Sequence, residues 1–443
     1  MLSKDRAREI VNTLINATKY QSRVLIFDSG ENLTRFANSE IHQNVETENV
    51  LIILELYDGK KSASVNTNAI DEDDLKKAVA DAEAMLQNAE EGEDEFIPTP
   101  KFDEIIQIDN DERLGKTFDI KGRAETLKRC FAALSEDFTA AGVISLNRNL
   151  RVYGDCVGNF HYRNTDAARF AATVIHKDGA TGGGGVFARN LDNFNVDEEF
   201  KIAYDKAKAS IGPVFADLGS YTVVLEPSAV ADLLIYVAFG LNGDRYQKGL
   251  GFAAGKLGQK IFGENFTLRD DVNDPRLSQN KFDRVGYPTQ PVMLIEKGVL
   301  KNVLHCPITA KKAGVEPTGH AGGGYGASGG GFPSNVILEG GNTPLADMIA
   351  GVERGILVST FHYCNTVNPQ TLQITGLTRD GTFMIEKGKI GAPVENMRFT
   401  ESLLNAFSNI TAMSEPKQIG FFGGLAMVPA MRIENFHFTS GKK

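Results

Sequence analysis

The C-terminal half of the sequence carries the pattern that most constrains the fold. From Pro291 onward, short apolar runs such as Val292–Ile295 and Ile356–Thr360 alternate with glycine-containing turns. Runs of this length, bounded by glycine, are typical of β-strands. Glu296-Lys-Gly298 and Glu386-Lys-Gly388 are each flanked by strand-like residues, which indicates tight hairpins. The pattern therefore predicts a mainly antiparallel sheet with a few helices.

The N-terminal half instead alternates helices with strands. Helical spacing of apolar residues predicts helices over 3–19, 71–89, 122–137 and 197–210, and Ser3 is a candidate cap for the first of them. A chain of 443 residues exceeds what one hydrophobic core usually serves, so we expect two domains. We place the boundary at Gly212-Pro213 and interpret residues 90–100, which are acidic and contain proline, as a solvated linker. The predicted class is α+β, with an N-terminal α/β domain over 1–212 and a C-terminal β-rich domain over 213–443.

Two separate strands are predicted at Ile41–Val45 and Val50–Tyr57. The run Gly182–Gly185 predicts a flexible loop between the domains, since glycine restrains the backbone least of all residues.

Charge and cysteine content exclude several classes of protein. Lys and Arg sum to 47 and Asp and Glu to 57, which gives a net charge of −10. Such a surface repels phosphate backbones and anionic membranes, so we expect neither nucleic acid nor membrane as a partner. The four cysteines form no C-x-x-C pair, and no apolar leader or membrane span is found, so a cytoplasmic location is expected.

A glycine-rich segment over residues 319–332 contains two textual motif matches. Gly324-Tyr-Gly-Ala-Ser-Gly329 fits G-x-G-x-x-G, and Gly326-Ala-Ser-Gly-Gly330 fits G-x-S-x-G. Both motifs require a helix after the loop, whereas Phe332-Pro333 and then a predicted strand follow here. We therefore reject both and predict either a loop that approaches a ligand, with His320 near its start, or a plain loop tip.

His362-Tyr-Cys364 is the closest pairing of potential metal ligands or nucleophiles. On a regular strand the two side chains would share a face and could hold a metal or flank a reactive thiol. The structural alternative is a buried cysteine beside a satisfied histidine. Arg379, in Arg379-Asp-Gly381, either clamps a peptide carbonyl or carboxylate or forms a local ion pair in a turn.

Several segments together resemble the TldD/PmbA family, formerly called modulators of DNA gyrase. They run in family order over nearly the whole chain: Thr34–Asn44, Gly243–Gly249, Gly255–Gln259, Pro317–Ala321, Pro333–Asn335, Leu338–Gly340, Gly376–Phe383 and Ile385–Gly388. The resemblance implies a two-domain α+β fold. Catalytic, TldD-type members are zinc metallopeptidases with H-E-x-x-x-H on the helix that opens the C-terminal domain and a cysteine near the C-terminus.

This sequence departs from the catalytic pattern at each of those positions. The three motif positions fall near Ile235, Tyr236 and Gly240, and the region of the cysteine, Ile419–Leu425, contains none. Neither an imidazole ligand nor a carboxylate base is therefore present there. This departure is typical of the TldE, or PmbA, branch of the family.

The resemblance implies a non-catalytic partner subunit. It pairs with a TldD-type subunit, or with itself as a homodimer, and helps to enclose an unfolded peptide. No cofactor is expected in this chain, and zinc is expected in the TldD-type partner. His320 and Arg379 are predicted to face the cavity, and His362 and Cys364 are further candidates for substrate contact. Two alternatives stay open: a self-sufficient hydrolase built on His362 and Cys364, and a regulatory protein that binds DNA gyrase.

Overall fold

A computed structural model describes residues 1–93, 95–277, 279–322, 330–422 and 424–441. The helices are α1 (Lys4–Asn16), α2 (Glu72–Gln87), α3 (Glu112–Thr117), α4 (Ile120–Ala132), α5 (Val196–Ala209), α6 (Pro227–Gly240), α7 (Gly243–Gln247), α8 (Pro307–Ala313), α9 (Leu345–Ala350) and α10 (Leu403–Ala406). Within the described ranges, none of these helices combines the length and apolar character needed to span a bilayer.

The strands before residue 189 are β1 (Gln21–Ala37), β2 (Glu40–Asp58), β3 (Lys61–Thr67), β4 (Ile105–Asp109), β5 (Phe138–Asp155), β6 (Phe160–His176) and β7 (Thr181–Ala188). Those after residue 218 are β8 (Gly219–Leu225), β9 (Leu268–Asp270), β10 (Val292–Glu296), β11 (Val299–Leu300), β12 (Val336–Leu338), β13 (Arg354–Asn368), β14 (Gln373–Glu386), β15 (Lys389–Pro393), β16 (Met397–Ser402), β17 (Ile410–Met413), β18 (Lys417–Phe421), β19 (Gly424–Val428) and β20 (Met431–Gly441).

The strands form three sheets. Sheet 1 has the order β3-β2-β1-β5-β6-β4, with β7 also paired to β6. Sheet 2 has the order β11-β10-β9-β12-β19-β18, and sheet 3 has the order β13-β8-β20-β16-β14-β15, with β17 paired to β20. Most pairings are antiparallel, and the parallel ones join β4 to β6, β12 to β19 and β8 to β13. The predicted α+β class is confirmed, and the boundary at residue 212 stays a prediction.

Helices cover one face of sheet 1. Helices α1 and α2 pack on one end of that face through Ile10, Leu14 and Leu75, and α4 and α5 pack on the other end through Leu127 and Phe200. The opposite face contacts the C-terminal half at both ends of the sheet: Phe282 packs among apolar residues of β1, β2 and β5, and Phe187 of β7 packs against Ile337, Leu425 and Met427. The remainder of that face is open, and it forms one wall of the cleft described below.

Helix α6 lies at the centre of the C-terminal half. Its residues are apolar on nearly every side, and Leu233, Leu234 and Val237 are fully buried against sheets 2 and 3. Pro227 occupies the first turn, where its missing N–H costs nothing, and α6 follows β8 directly. Close packing on most sides of a helix holds its side chains in fixed directions, so α6 is a rigid platform for the residues on its one open side.

The prediction of a flexible loop at Gly182–Gly185 is wrong, because these residues lie within β7. The physical reason is close packing against α5. A Cβ atom on Gly182 would stand 2.2 Å from the Ala203 carbonyl oxygen, and one on Gly184 would stand 2.2 Å from the Glu199 carbonyl oxygen. Glycine here allows the helix to approach the strand, rather than giving the chain freedom.

Candidate functional site

A cavity of about 320 Å³ lies beside α6, between β13 and β18. We call it the α6 cavity. It is lined by Ala231, Asp232, Ile235, Tyr236, Phe361, His362, Tyr363, Cys364, Gly420, Phe421 and Phe422. Asp232, Ile235 and Tyr236 are spaced at i, i+3 and i+4, so the helix presents them on one face. Two of the three motif positions identified in the sequence therefore line the same cavity as His362 and Cys364.

The third motif position, Gly240, is closed to any larger side chain. A Cβ atom there would stand 2.1 Å from the ring of Phe252, which is buried. Tyr236 is also engaged, because its hydroxyl donates a hydrogen bond to the backbone carbonyl of Cys364. Across the described part of the chain, no group of three or more His, Cys, Asp or Glu side chains is placed to hold a metal ion. The residues at the motif positions do not fit zinc.

The strand that carries His362 and Cys364 is irregular between them. Tyr363 has a positive φ of 50°, and the register with β14 shifts between His362 and Asn365, so the simple alternation of faces does not hold here. Burial raises the pKa of the Cys364 thiol to about 12, with a further contribution from Asp232. Burial, and then the charge of Arg379, lower the pKa of His362. At neutral pH both side chains are therefore uncharged, and the thiol is a poor nucleophile.

Asp232 is the functional candidate that sequence reasoning missed. Its Oδ2 accepts hydrogen bonds from the Thr360 hydroxyl at 2.7 Å and from the Phe361 backbone N–H at 2.8 Å. Burial raises the pKa of Asp232 to about 6, and these two hydrogen bonds offset part of the effect. The sequence does carry a signal for it, because Asp232 is the one charged residue within 227–240. Burial of a carboxylate costs free energy, so a single acidic residue in an otherwise apolar helix indicates a structural or functional role.

A larger cleft of about 770 Å³ opens next to the α6 cavity and shares five lining residues with it: Ala231, Asp232, Gly420, Phe421 and Phe422. We call it the sheet cleft. Its first wall is the open face of sheet 1, and its second wall is formed by β18 and the start of α6. Its polar and charged lining residues are Glu31, Ser145, Asn147, Asn149, Arg169, Glu199, Ser228, Asp232, Lys417 and Gln418. Such a lining suits a hydrated or polar ligand rather than an apolar one.

Two edge strands border the sheet cleft. Strand β18 is at the end of sheet 2, and β7 lies along one side of β6; both contribute residues to the cleft lining. Within the described residues, β18 pairs only with β19 and β7 pairs only with β6. Free backbone groups on an edge strand can pair with an added strand. The cleft is therefore suited to an extended chain.

Arg379 and His320 are both predicted to face the cavity that encloses the peptide, and they lie in different surroundings. Arg379 is on β14 opposite Thr360, with Nε 3.4 Å from Asp380 Oδ2, and its side chain is about 43% exposed. Its charge helps to lower the pKa of His362, but Arg379 lines neither the α6 cavity nor the sheet cleft. The imidazole of His320 is fully buried, with Nε2 3.1 Å from Asp270 Oδ1. Its surroundings are the interior of the C-terminal half rather than an open cleft.

Most of the glycine-rich segment that follows His320 lies outside the described residues. Both rejected motif matches, which begin at Gly324 and Gly326, fall there except for the last residue of the second, Gly330. The residues that flank the segment are held by hydrogen bonds. The backbone N–H of Phe332 donates to the carbonyl of His320, and the backbone N–H of Ala321 donates to Asp283 Oδ2 at 2.9 Å.

Comparison with known proteins defines the class. Residues 218–440 match the family model described as PmbA/TldA metallopeptidase C-terminal domain, and residues 24–86 match PmbA/TldA metallopeptidase domain 1. Fold and sequence thus define a metallopeptidase-type protein. The chain belongs to the TldD/PmbA family.

Relatives and solved structures agree with this assignment. The chain is 30% identical over 230 residues to an uncharacterized protein of Methanocaldococcus jannaschii, covering 51% of this chain and 53% of that protein, so the match spans about half of that relative. It is 24% identical to a metalloprotease TldD homolog of Buchnera aphidicola, covering 92% and 91%. The crystal structure of TldE from Thermococcus kodakarensis has a TM-score of 0.85 at 20% identity, covering 98% and 100%, which establishes a shared fold.

Proposed function

We propose that this chain is the non-catalytic partner subunit of a TldD-type zinc metallopeptidase. The observation that carries the proposal is the lining of the α6 cavity. Where catalytic members are expected to hold zinc, this chain has Ile235 and a hydrogen-bonded Tyr236, and Gly240 packs against Phe252. Loss of the ligands with retention of the fold supports a role that depends on shape and binding rather than on a metal. Zinc would belong to the partner.

The proposed task of this subunit is to hold an unfolded peptide during proteolysis or maturation. The sheet cleft supports it, because β7 and β18 are edge strands that border it; of the β7 backbone groups, the Gly185 N–H already donates to Glu199. Pairing through the backbone tolerates many sequences, since the hydrogen bonds do not depend on side chains. A TldD-type subunit is the proposed partner, a second copy of this chain is the alternative, and a cytoplasmic location belongs to the same proposal.

The alternative of a self-sufficient hydrolase has less support. His362 and Cys364 do line one cavity, but the pKa of the thiol is raised to about 12 and the pKa of the imidazole is lowered. A thiol–imidazole pair that attacks a peptide bond needs the opposite pattern, with a thiolate stabilised beside a charged histidine.

Zinc content per chain tests the proposal. The protein is purified without chelators and without a metal-affinity tag, and zinc is measured by elemental analysis. We expect less than about a tenth of an equivalent, because the motif positions carry no zinc ligands. A low value is informative, since a closed three-ligand zinc site seldom loses its metal during gentle purification. Close to one equivalent would refute the proposal, and His362, Cys364 and His320 would then be the first residues to substitute.

A further inference from the structure

The carboxylate of Asp232 is an isolated negative charge at the junction of the α6 cavity and the sheet cleft. It lines both of them. Within the described ranges, no Lys, Arg or His nitrogen forms an ion pair with it. Its Oδ2 is occupied by Thr360 and Phe361, whereas Oδ1 accepts no hydrogen bond from a described residue. One oxygen of a partly buried carboxylate is thus fixed in place and the other is free for a donor.

The surroundings of Asp232 suit a donor that carries a positive charge. Nearby on α6 and β13 stand Tyr236 and Cys364, whose pKa values are both raised to about 12, so neither is charged at neutral pH. Besides Asp232, the sheet cleft is lined by two acidic residues, Glu31 and Glu199, and by two basic residues, Arg169 and Lys417. Asp232 therefore adds one uncompensated negative charge. A buried charge is expensive unless it is paired, so a ligand cation would supply what the chain lacks.

Size and lining narrow the class of cation. The α6 cavity holds about 320 Å³ and is walled by aromatic rings, including Phe361, Phe421 and Phe422. A bare metal ion would lack a sufficient set of ligands there, since no group of three or more His, Cys, Asp or Glu side chains among the described residues is placed to hold one. An ammonium group on an organic chain can reach the carboxylate while its carbon skeleton contacts the rings.

We propose that Asp232 binds the primary ammonium group of a peptide held in the sheet cleft, either its free amino terminus or a lysine side chain. The peptide part of this inference rests on the proposed function. The ammonium part rests on the fixed, unpaired carboxylate between two cavities. Asp232 is then a residue that anchors one end or one side chain of the substrate and so sets its register along the edge strands.

Two probes separate these parts. The first is 3-phenylpropylamine, compared with the neutral 3-phenylpropanol, with binding to the full chain measured by calorimetry. The second probe is a fluorescent unfolded peptide in three forms. Two forms lack Lys and Arg and have either a free or an acetylated amino terminus. The remaining form has an acetylated amino terminus and one lysine. The variant is Asp232→Asn, whose amide oxygen can still accept from Thr360 and Phe361. Asp81→Asn, at an exposed position inside α2, is the matched control.

The wild-type chain and Asp81→Asn should bind the amine and the free-amino or lysine peptide about tenfold more tightly than the uncharged counterparts, because a charge-assisted hydrogen bond is involved. Asp232→Asn should reduce this preference to less than about twofold. Peptide binding with no preference for an ammonium group would overturn the inference and leave the proposed function standing. Selective amine binding that depends on Asp232, without any peptide binding, would support the ammonium site and refute the peptide-holding role.

Discussion

Replacing Asp232 by asparagine should stabilise the fold, even though the residue is proposed to bind ligand. Burial raises the pKa of Asp232 from 3.8 to about 6. Between these two values the folded state holds more protons than the unfolded state, so this group makes stability fall as pH rises. One pKa unit corresponds to about 1.4 kcal/mol, so the ionised carboxylate costs about 3 kcal/mol above pH 6. Asparagine removes that cost while keeping an oxygen for Thr360 and Phe361.

The assay is urea denaturation of the wild type and Asp232→Asn, measured at several pH values. The free energy of unfolding of the variant should exceed that of the wild type by about 1.5 kcal/mol near pH 5 and by about 3 kcal/mol near pH 7.5. Shifts of other groups cancel in the difference unless they interact with Asp232. A variant that is less stable than the wild type at every pH, or a difference that does not change with pH, would refute the assignment of a raised pKa.

Three further predictions concern α6 and its cavity. Gly240→Ala should lower the free energy of unfolding by about 1–3 kcal/mol through its clash with Phe252, although alanine favours helices; a stabilised variant in urea melts would contradict this packing. Tyr236→Phe should cost about 1 kcal/mol in the same assay because it removes the hydrogen bond to the Cys364 carbonyl, and no loss would mean that the bond is not formed in solution. Iodoacetamide near neutral pH should alkylate the exposed Cys156 well before Cys364, as followed by mass spectrometry, and the reverse order would show a reactive thiol in the cavity.

Local signals in the sequence identify many of the elements correctly. Ser3 caps the first helix as its position predicts, and its hydroxyl accepts a hydrogen bond from the Arg6 N–H at 3.2 Å. The hairpin predicted at Glu386-Lys-Gly388 joins β14 to β15, with positive φ at Lys387 and Gly388. Caps and tight turns depend on a few adjacent residues, so they can be recognised without knowledge of the rest of the fold.

Predictions from the sequence are wrong where contacts with distant segments determine the secondary structure. The prediction of two separate strands, Ile41–Val45 and Val50–Tyr57, is wrong, because β2 continues from Glu40 to Asp58. Its polar residues keep their pairing with β1: Glu46 is opposite Asn32 and Glu48 is opposite Gly30. A long strand partner can hold an exposed, polar stretch in the extended conformation against its local preference.

Some features of the candidate site are also identified from the sequence, and others are seen only in the structure. The family motif identifies Ile235 and Tyr236 from the sequence, and the structure shows that both line the α6 cavity. The sheet cleft could not be predicted, since it depends on how the open face of sheet 1 meets β18, which is distant from it in the chain. The glycine-rich context of His320 favours an accessible side chain, but the pairing with buried Asp270 is a contact that spacing does not reveal.

Peptide cleavage by a TldD-type subunit, measured with and without this chain, tests the central claim most directly. The full chain is mixed with a TldD-type metallopeptidase and an unfolded fluorogenic peptide, and each protein alone serves as the control. The account predicts no cleavage by this chain alone and a rate for the mixture that is clearly higher than that of the TldD-type subunit alone. A mixture no faster than the TldD-type subunit, or cleavage by this chain in isolation, would contradict the assignment as a non-catalytic partner.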